Sequence, residues 1–125
     1  MEAKETNKLI LHIEDDGLTL TVIKLFLRDL YKVEQAKSSE EAIEMLKTNK
    51  VDLILMDIAI FGEMNGLELT KKLKGSKKYS HIPIIIVTVN AFDKVRKNAF
   101  DAGCADFIIK PFPKAILLDM IAKYI

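Results

Sequence analysis

The chain has 125 residues, of which 50% are hydrophobic and 30% are charged, and its formal net charge is +1. This length suits one domain, and this composition is typical of a globular protein rather than a disordered or fibrous one. The near-neutral charge gives no general attraction to nucleic acid or membranes, and no apolar run approaches the ~20 residues of a membrane helix. The single cysteine, Cys104, cannot form an internal disulfide, which favours a reducing compartment. Segment 1–7 lacks the apolar core of a signal peptide, so we predict a disordered lead-in and a cytoplasmic protein.

The first third of the chain predicts two strands on either side of a helix. Segment 8–13 is an apolar strand that ends on the acidic cluster 14–16. Apolar residues at helical spacing follow and predict a helix over 18–30. Segment 31–36 mixes polar and apolar residues, which favours a less buried edge strand.

A buried strand that ends on a carboxylate organises the middle of the chain. Before it, Ser38 and Glu41 have the spacing of a capping box, which predicts the start of a second helix. Segment 51–57 is then a short apolar run whose last residue is Asp57. Because buried parallel strands are apolar on both faces, a charge fits only at the tip of such a strand. Asp57 is therefore the leading candidate for a reactive group.

Three more helices and two more strands are predicted after Asp57. Gly66 leads into a helix, and we expect the lysine-rich segment 71–78 after it to be a solvated turn. Pro83 opens a fourth strand that ends on Thr88, and a helix follows that strand.

The end of the chain predicts a strand and a helix. Gly103 is expected to stop the fourth helix, and strand 106–109 ends on Lys110. The last helix is expected over 113–124. One face of the fourth helix is expected to carry Phe92, Val95, Ala99 and Ala102. The last helix is expected to bury Leu117, Ile121 and Tyr124 or their near neighbours.

Strands that alternate with helices predict an α/β fold built on a doubly wound parallel sheet. We favour the flavodoxin-like (βα)5 arrangement with strand order 2-1-3-4-5. In a parallel sheet the carboxyl ends of the strands lie at one edge. The residues expected to meet at that edge are Glu14, Asp15, Asp57, Thr88 and Lys110.

These residue types point to phosphoryl transfer. Three carboxylates in one cleft repel each other, so either one is protonated or a cation joins them. Oxygen ligands without a set of His or thiolate ligands favour Mg²⁺ or Ca²⁺ over zinc. Asp57 would then be a nucleophile that forms an acyl phosphate. Lys110 would supply a point charge to one phosphate oxygen, and the Thr88 hydroxyl would donate a hydrogen bond to another.

As a set, the motifs resemble the receiver domain of two-component response regulators over nearly the whole chain, which places a receiver domain at 8–125. The matching motifs are Ile13-Glu14-Asp15-Asp16, Leu-Ile-Leu-Met-Asp57-Ile, Gly66-Leu67-Glu68-Leu69, Pro83-Ile-Ile-Ile-Val-Thr88, Ala102-Gly103 and Lys110-Pro111-Phe112.

The resemblance implies a site and a donor. Mg²⁺ would be held by Glu14, Asp15, Asp57 and the backbone carbonyl of Ala59. Asp57 would take a phosphoryl group from the phosphohistidine of a histidine kinase or histidine phosphotransfer protein. The protein would be a signalling switch rather than an enzyme, although it would slowly hydrolyse its own aspartyl phosphate.

The resemblance also implies an output. Thr88 and Phe107 would move together as the switch, and the Lys110-Pro111 bond would be cis. The face made by the fourth helix, fifth strand and fifth helix would bind an unknown downstream protein. Neither direct nucleic-acid binding nor a membrane contact is expected.

Three positions tune the lifetime of the acyl phosphate in the family: here they are Ala59, Val89 and Asn90. Val89 stands where alanine is usual, and we expect its branched side chain to narrow access and slow self-dephosphorylation. Phe61 replaces a usual proline, and Gly66 comes one residue later after Asp57 than is common.

Two other functions are open to such a site. A phosphohydrolase with an aspartyl-phosphate intermediate needs a second acid two residues after the nucleophile, where this chain has Ala59. A receiver-like protein-binding module that is not phosphorylated is disfavoured by the complete acidic set together with Thr88 and Lys110. The sequence leaves open whether the chain is a stand-alone regulator or the receiver of a larger protein.

Overall fold

A computed structural model describes residues 7–125, where five strands alternate with five helices. The strands are β1 (Leu9–Ile13), β2 (Lys32–Ala36), β3 (Leu53–Met56), β4 (Ile84–Thr88) and β5 (Asp106–Ile109). The helices are α1 (Gly17–Leu27), α2 (Ser39–Thr48), α3 (Gly66–Lys74), α4 (Asp93–Ala102) and α5 (Lys114–Ala122). The predicted lead-in 1–7 lies, apart from Asn7, outside the described residues. Within residues 7–125, no helix combines the length and hydrophobicity needed to span a bilayer.

The strands form one parallel sheet in the order β2-β1-β3-β4-β5, which confirms the predicted α/β fold and strand order. β1 and β3 lie side by side in the middle of this sheet, with Ile13 opposite Met56. The residues that follow these strands are consequently neighbours, and the Asp57 N–H donates to the Ile13 carbonyl at 3.0 Å.

Alternate residues of the strands enter two hydrophobic cores on opposite faces of the sheet. Ile10 packs with residues of α1 and α5, whereas Leu11 packs with residues of α2, α3 and α4. β3 is buried along its whole length, as predicted for a central strand. Because burial of one Leu or Ile contributes roughly 1.5–3 kcal/mol, these two cores stabilise the sheet that carries the strand ends.

Helix α1 ends at Leu27, earlier than the predicted boundary at residue 30. The Tyr31 N–H donates to the Leu27 carbonyl at 2.9 Å, and the Lys32 N–H donates to the Lys8 carbonyl at 3.0 Å. The helix therefore ends before residue 30, because the residues after it are needed for the turn that brings β2 alongside β1. Helical spacing alone does not contain this constraint.

The capping box predicted at the start of α2 is only half formed. The Ser38 hydroxyl accepts from the Glu41 N–H at 3.1 Å, but the Glu41 carboxylate accepts from the Lys37 N–H at 3.4 Å. A complete box is found at α3 instead. There Asn65 and Glu68 each accept from the other's backbone N–H.

The lysine-rich segment 71–78 is a solvated turn only in its second part, because α3 continues to Lys74. Within the helical part, Leu73 is buried. The Lys74 ammonium donates to the carbonyls of Ser80 and Ile82, at 3.1 and 2.6 Å. These bonds tie the end of α3 to the segment that enters β4.

Two residues assigned to the apolar helix faces are exposed. Phe92 is 75% exposed because it lies just before the first residue of α4 and so does not share the buried face of the helix. Tyr124 is 36% exposed and lies beyond the end of α5, where its hydroxyl donates to the Ala105 carbonyl. Ala99 and Leu117, by contrast, are buried as predicted. Gly103 stops α4 in the left-handed conformation, with a φ of 107°, as predicted.

Candidate functional site

An acidic cluster lies at the carboxyl ends of β1 and β3. Glu14 follows β1 and is 0% exposed, and Asp57 follows β3 and is 7% exposed. Glu14, Asp15 and Asp57 each offer a carboxylate oxygen within 4.8 Å of the others. Parallel pairing places these residues together although they are distant in the chain. The expected meeting of the three carboxylates is thus observed.

Lys110 enters the cluster from the end of β5. Its ammonium nitrogen lies 2.6 Å from Glu14 Oε1 and 3.7 Å from Asp57 Oδ2. The Lys110 N–H donates to the Thr88 carbonyl at 2.8 Å, and the Lys110–Pro111 bond is cis, as the resemblance implied. The 2.6 Å bond between the Lys110 ammonium and Glu14 is charge-assisted, and such bonds are among the stronger side-chain contacts in proteins.

The electrostatics of the cluster are unbalanced. Burial, and next the hydrogen bond with Asp57, raise the pKa of Glu14 from 4.5 to about 7, although Lys110 opposes the rise. Deprotonation of Glu14 near neutral pH therefore places negative charge that Lys110 does not fully compensate. Such a cluster gains from a divalent cation.

The donor set fits a hard cation. It consists of carboxylate oxygens, which Mg²⁺ prefers, and the cluster contains neither His nitrogen nor thiolate. Glu14 and Asp57 are buried and Asp15 is half-buried, so the cluster has a closed side and an accessible side. Mg²⁺ usually retains several waters beside its carboxylate ligands, and the accessible side of the cluster is consistent with that.

Thr88 ends β4 and is only 4% exposed. Its hydroxyl oxygen accepts from the Asn90 N–H at 3.2 Å, which leaves the hydroxyl hydrogen available for donation. The Asn90 side chain in turn accepts from the Phe92 N–H at 3.1 Å. Val89 is 74% exposed, and Ala59 is also exposed. The predicted tuning residues therefore lie in the two loops that follow β3 and β4.

Phe107, the predicted switch aromatic, is buried at 4% exposure and lies opposite Ile86 in the sheet. The Arg96 guanidinium of α4 lies 5.7 Å from the centre of the Phe107 ring and 5.6 Å from that of Phe100. A movement of Phe107 would therefore change its contact with Arg96 of α4.

Two residues near the site, Gly66 and His12, were not among the predicted site residues. A Cβ on Gly66 would overlap the Asp57 carbonyl oxygen, and the Gly66 N–H donates to the Ile58 carbonyl at 2.8 Å. His12 is fully buried in β1, two residues before Glu14, and burial, followed by the charge of Lys110, lowers its pKa to about 3. The sequence signal for Gly66 was its place in the receiver motif. No sequence signal indicates the environment of His12, because that environment depends on the packing of β1.

The family model of the response regulator receiver domain matches residues 10–122. The chain belongs to the response regulator receiver family. Among its relatives, the polar-differentiation response regulator DivK of Brucella ovis is 35% identical over 123 residues, covering 94% of this chain and 96% of DivK. DivK of Brucella anthropi is 34% identical over the same share of both chains.

Solved receiver structures share this fold. A putative response regulator from Chloroflexus aurantiacus has a TM-score of 0.89 at 25% identity, covering 95% of this chain and 98% of that one. The receiver domain of a sensor histidine kinase from Pseudomonas aeruginosa has a TM-score of 0.85 at 30% identity, with the same coverage. That structure has a magnesium ion coordinated in its active-site cleft.

Proposed function

We propose that residues 8–125 form a phosphoacceptor receiver domain of a two-component phosphorelay, with Asp57 as the acceptor. The observation that carries this proposal is the cluster of Glu14, Asp15 and Asp57 with the Lys110 ammonium among them. A carboxylate nucleophile beside a fixed cation and a hard-metal site is the set of parts that phosphoryl transfer requires.

In the proposed reaction, a carboxylate oxygen of Asp57 attacks the phosphorus of a phosphohistidine on a histidine kinase or histidine phosphotransfer protein. The oxygen–phosphorus bond forms as the phosphorus–nitrogen bond breaks, and the departing imidazole keeps the electron pair and takes up a proton. Asp57 is suited to this role because it lies at a strand tip, held by its backbone bond to Ile13.

Glu14, Asp15, Asp57 and the backbone carbonyl of Ala59 would hold the Mg²⁺ ion. When bound, the ion supplies positive charge that compensates the transferred phosphoryl oxygens. The burial of Glu14 beside Asp57 supports this assignment, since two ionised carboxylates at such a place gain from a divalent ion. The magnesium ion in the cleft of the similar Pseudomonas aeruginosa receiver supports it as well.

Lys110 and Thr88 would hold the phosphoryl oxygens after transfer. The Lys110 ammonium would exchange its contact with Glu14 for a phosphate oxygen. The Thr88 hydroxyl would donate its hydrogen to another oxygen. Both groups are nearly buried and lie at the ends of neighbouring strands, Thr88 in β4 and Lys110 directly after β5.

The switch would work through Thr88 and Phe107, which lie on neighbouring strands. Movement of Phe107 would alter the packing against α4, because Arg96 lies over the Phe107 ring. The α4–β5–α5 face has exposed apolar residues to which a downstream protein would bind. These residues are Phe100, Ile109, Ile116 and Tyr124.

The signal would end by hydrolysis of the aspartyl phosphate within the protein itself. Water would attack the phosphorus and release Asp57 as a carboxylate. Ala59, Val89 and Asn90 would set the rate, because they lie in the loops that border the site. We assign the domain to the cytoplasm, with no direct binding of nucleic acid or membrane.

The proposal is tested with Mg²⁺ and acetyl phosphate as a small-molecule phosphodonor. We expect intact mass spectrometry to show one added phosphoryl group, which hydroxylamine removes because an acyl phosphate is labile. The Asp57→Asn variant should show no adduct, nor should the wild type in EDTA. Asp16→Asn is the matched control, since Asp16 is a neighbouring acid that caps α1, and it should keep the adduct.

Two results would overturn the proposal. An adduct on Asp57→Asn would place the acceptor elsewhere. Absence of an adduct in the wild type, with Mg²⁺ binding retained, would instead identify a receiver-like protein-binding module that is not phosphorylated.

A further inference from the structure

The loop between β3 and α3, residues 57–65, is attached to the start of α2. The Ser39 N–H donates to the Phe61 carbonyl at 3.0 Å, and Ser38 and Phe61 form an isolated parallel bridge. The loop thus pairs with a segment outside the sheet. The loop begins with Asp57 and contains Ala59, so its position bears directly on the proposed site.

Two side chains of α2 complete the attachment. The Ser39 hydroxyl is buried, accepts from the Met64 N–H at 3.3 Å and donates to Glu40 Oε1 at 2.7 Å. The Glu40 carboxylate accepts from the Glu63 N–H, at 3.4 Å to Oε1 and 3.3 Å to Oε2. We call Ser39 and Glu40 the α2 clamp.

Gly62 shows that the loop is shaped to fit the α2 clamp. Its φ is 107°, a conformation that side-chain-bearing residues rarely adopt. A Cβ at this position would overlap Glu40 Oε1 and crowd the Ser39 hydroxyl. The absence of a side chain therefore lets the loop backbone approach the clamp.

The two ends of the segment around Ala59 are fixed by different partners. The Ile58 carbonyl accepts from the Gly66 N–H at 2.8 Å, and the Phe61 carbonyl accepts from Ser39. Only Ala59 and Ile60 lie between these fixed carbonyls. Because each residue contributes just two soft dihedral angles, a segment this short has little freedom once both ends are held.

We propose that the α2 clamp is a positioning device for the metal site, which fixes the β3–α3 loop so that the Ala59 carbonyl is preorganised for Mg²⁺. Ser39 and Glu40 do not touch the ion in this arrangement and act only through the loop. The inference rests on the proposed function, since it assumes Mg²⁺ at Glu14, Asp15 and Asp57. Groups that orient metal ligands from outside commonly affect metal affinity.

The test compares Mg²⁺ affinity in four variants by calorimetry or amide-shift titration. Glu40→Ala removes the acceptor for Glu63, and we expect the dissociation constant to rise about three- to tenfold, the range for losing about one net hydrogen bond. Gly62→Ala should produce a similar rise. Glu40→Gln removes the charge but keeps an acceptor oxygen, so it should remain within about twofold of the wild type.

Glu41→Ala is the matched control. Glu41 carries the same charge one residue later in the first turn of α2, but it accepts from Lys37 rather than from the loop. Its loss should leave the Mg²⁺ dissociation constant unchanged. The control therefore separates the clamp contacts from the general electrostatic effect of an acid near the site.

A second measurement separates positioning from general damage to the fold. The carbonyl carbon shift of Ala59, read through the Ile60 amide, should respond to Mg²⁺ in the wild type and respond less in Glu40→Ala. The phosphorylation rate of Glu40→Ala should be low at limiting Mg²⁺ and return to the wild-type rate at saturating Mg²⁺. A damaged fold would lower the rate at both concentrations.

The outcomes distinguish this inference from the proposed function. If the wild type binds Mg²⁺ and Glu40→Ala binds it equally well, the clamp is not a positioning device. If Glu40→Gln is as weak as Glu40→Ala, the effect is one of charge, and the inference fails. If the wild type itself does not bind Mg²⁺, the proposed metal site fails, and the inference fails with it.

Discussion

Replacement of Glu14 by Gln tests the electrostatics of the acidic cluster. The raised pKa of Glu14 means that the folded protein holds this proton more tightly than the unfolded chain does. The stability that comes from protonated Glu14 is therefore fully present below pH 4.5 and is lost as the pH rises through about 7. The rise from 4.5 to about 7 corresponds to about 3 kcal/mol, a large share of the stability of a small domain.

Urea unfolding followed by far-ultraviolet circular dichroism, in EDTA between pH 4.5 and 8, measures the effect. We expect the free energy of unfolding of Glu14→Gln to rise relative to the wild type by up to about 3 kcal/mol across this range. His12 has the opposite dependence, because its lowered pKa makes its contribution disappear as the pH falls below 6.5. His12 is present in both proteins, so its effect cancels in the difference.

The matched control is Asp16→Asn, which makes the same change in charge two residues away. Asp16 caps α1 by accepting from the Thr19 N–H at 2.9 Å, a role that asparagine also fills. That bond lowers the pKa of Asp16 below 3.8, so Asp16 stays ionised throughout the range studied. The difference in free energy of unfolding between Asp16→Asn and the wild type should therefore stay level between pH 4.5 and 8. If the difference in free energy of unfolding between Glu14→Gln and the wild type also stays constant within about 0.5 kcal/mol between pH 4.5 and 8, the argument from burial is refuted.

Three further predictions concern the same site. Lys110→Met should strengthen Mg²⁺ binding several-fold in a calorimetric titration, because the ammonium 2.6 Å from Glu14 would no longer compete for that carboxylate; unchanged affinity would contradict this. Val89→Ala should shorten the aspartyl-phosphate half-life at Asp57, followed by loss of the mass adduct, and an equal half-life would show that Val89 does not limit access. Gly66→Ala should lower both the urea midpoint and the extent of phosphorylation, because its Cβ would overlap the Asp57 carbonyl oxygen; normal values for both would show that the loop accommodates a side chain.

Local patterns were sufficient to predict the alternation of strands and helices and the ends of the strands. The apolar run before Asp57 ends on a carboxylate whatever the rest of the fold, and Gly103 stops α4 for local conformational reasons. Helix boundaries were less secure. Phe92 continues the apolar period of α4 but precedes its first turn, and α1 ends early because β2 has to pair with β1.

The features of the site, like those of the fold, fall into those that the sequence determines and those that only the tertiary structure determines. Composition and order along the chain determine that the carboxylates, Thr88 and Lys110 lie at the carboxyl ends of four strands of a parallel sheet, and hence at one edge. Tertiary structure alone decides that Lys110 lies closer to Glu14 than to Asp57, and that burial raises the pKa of Glu14. The α2 clamp also appears only in three dimensions, because Ser39 and Glu40 contact a loop more than twenty residues away. Side-chain pairing across such distances depends on how the layers pack, and no local pattern in the chain encodes it.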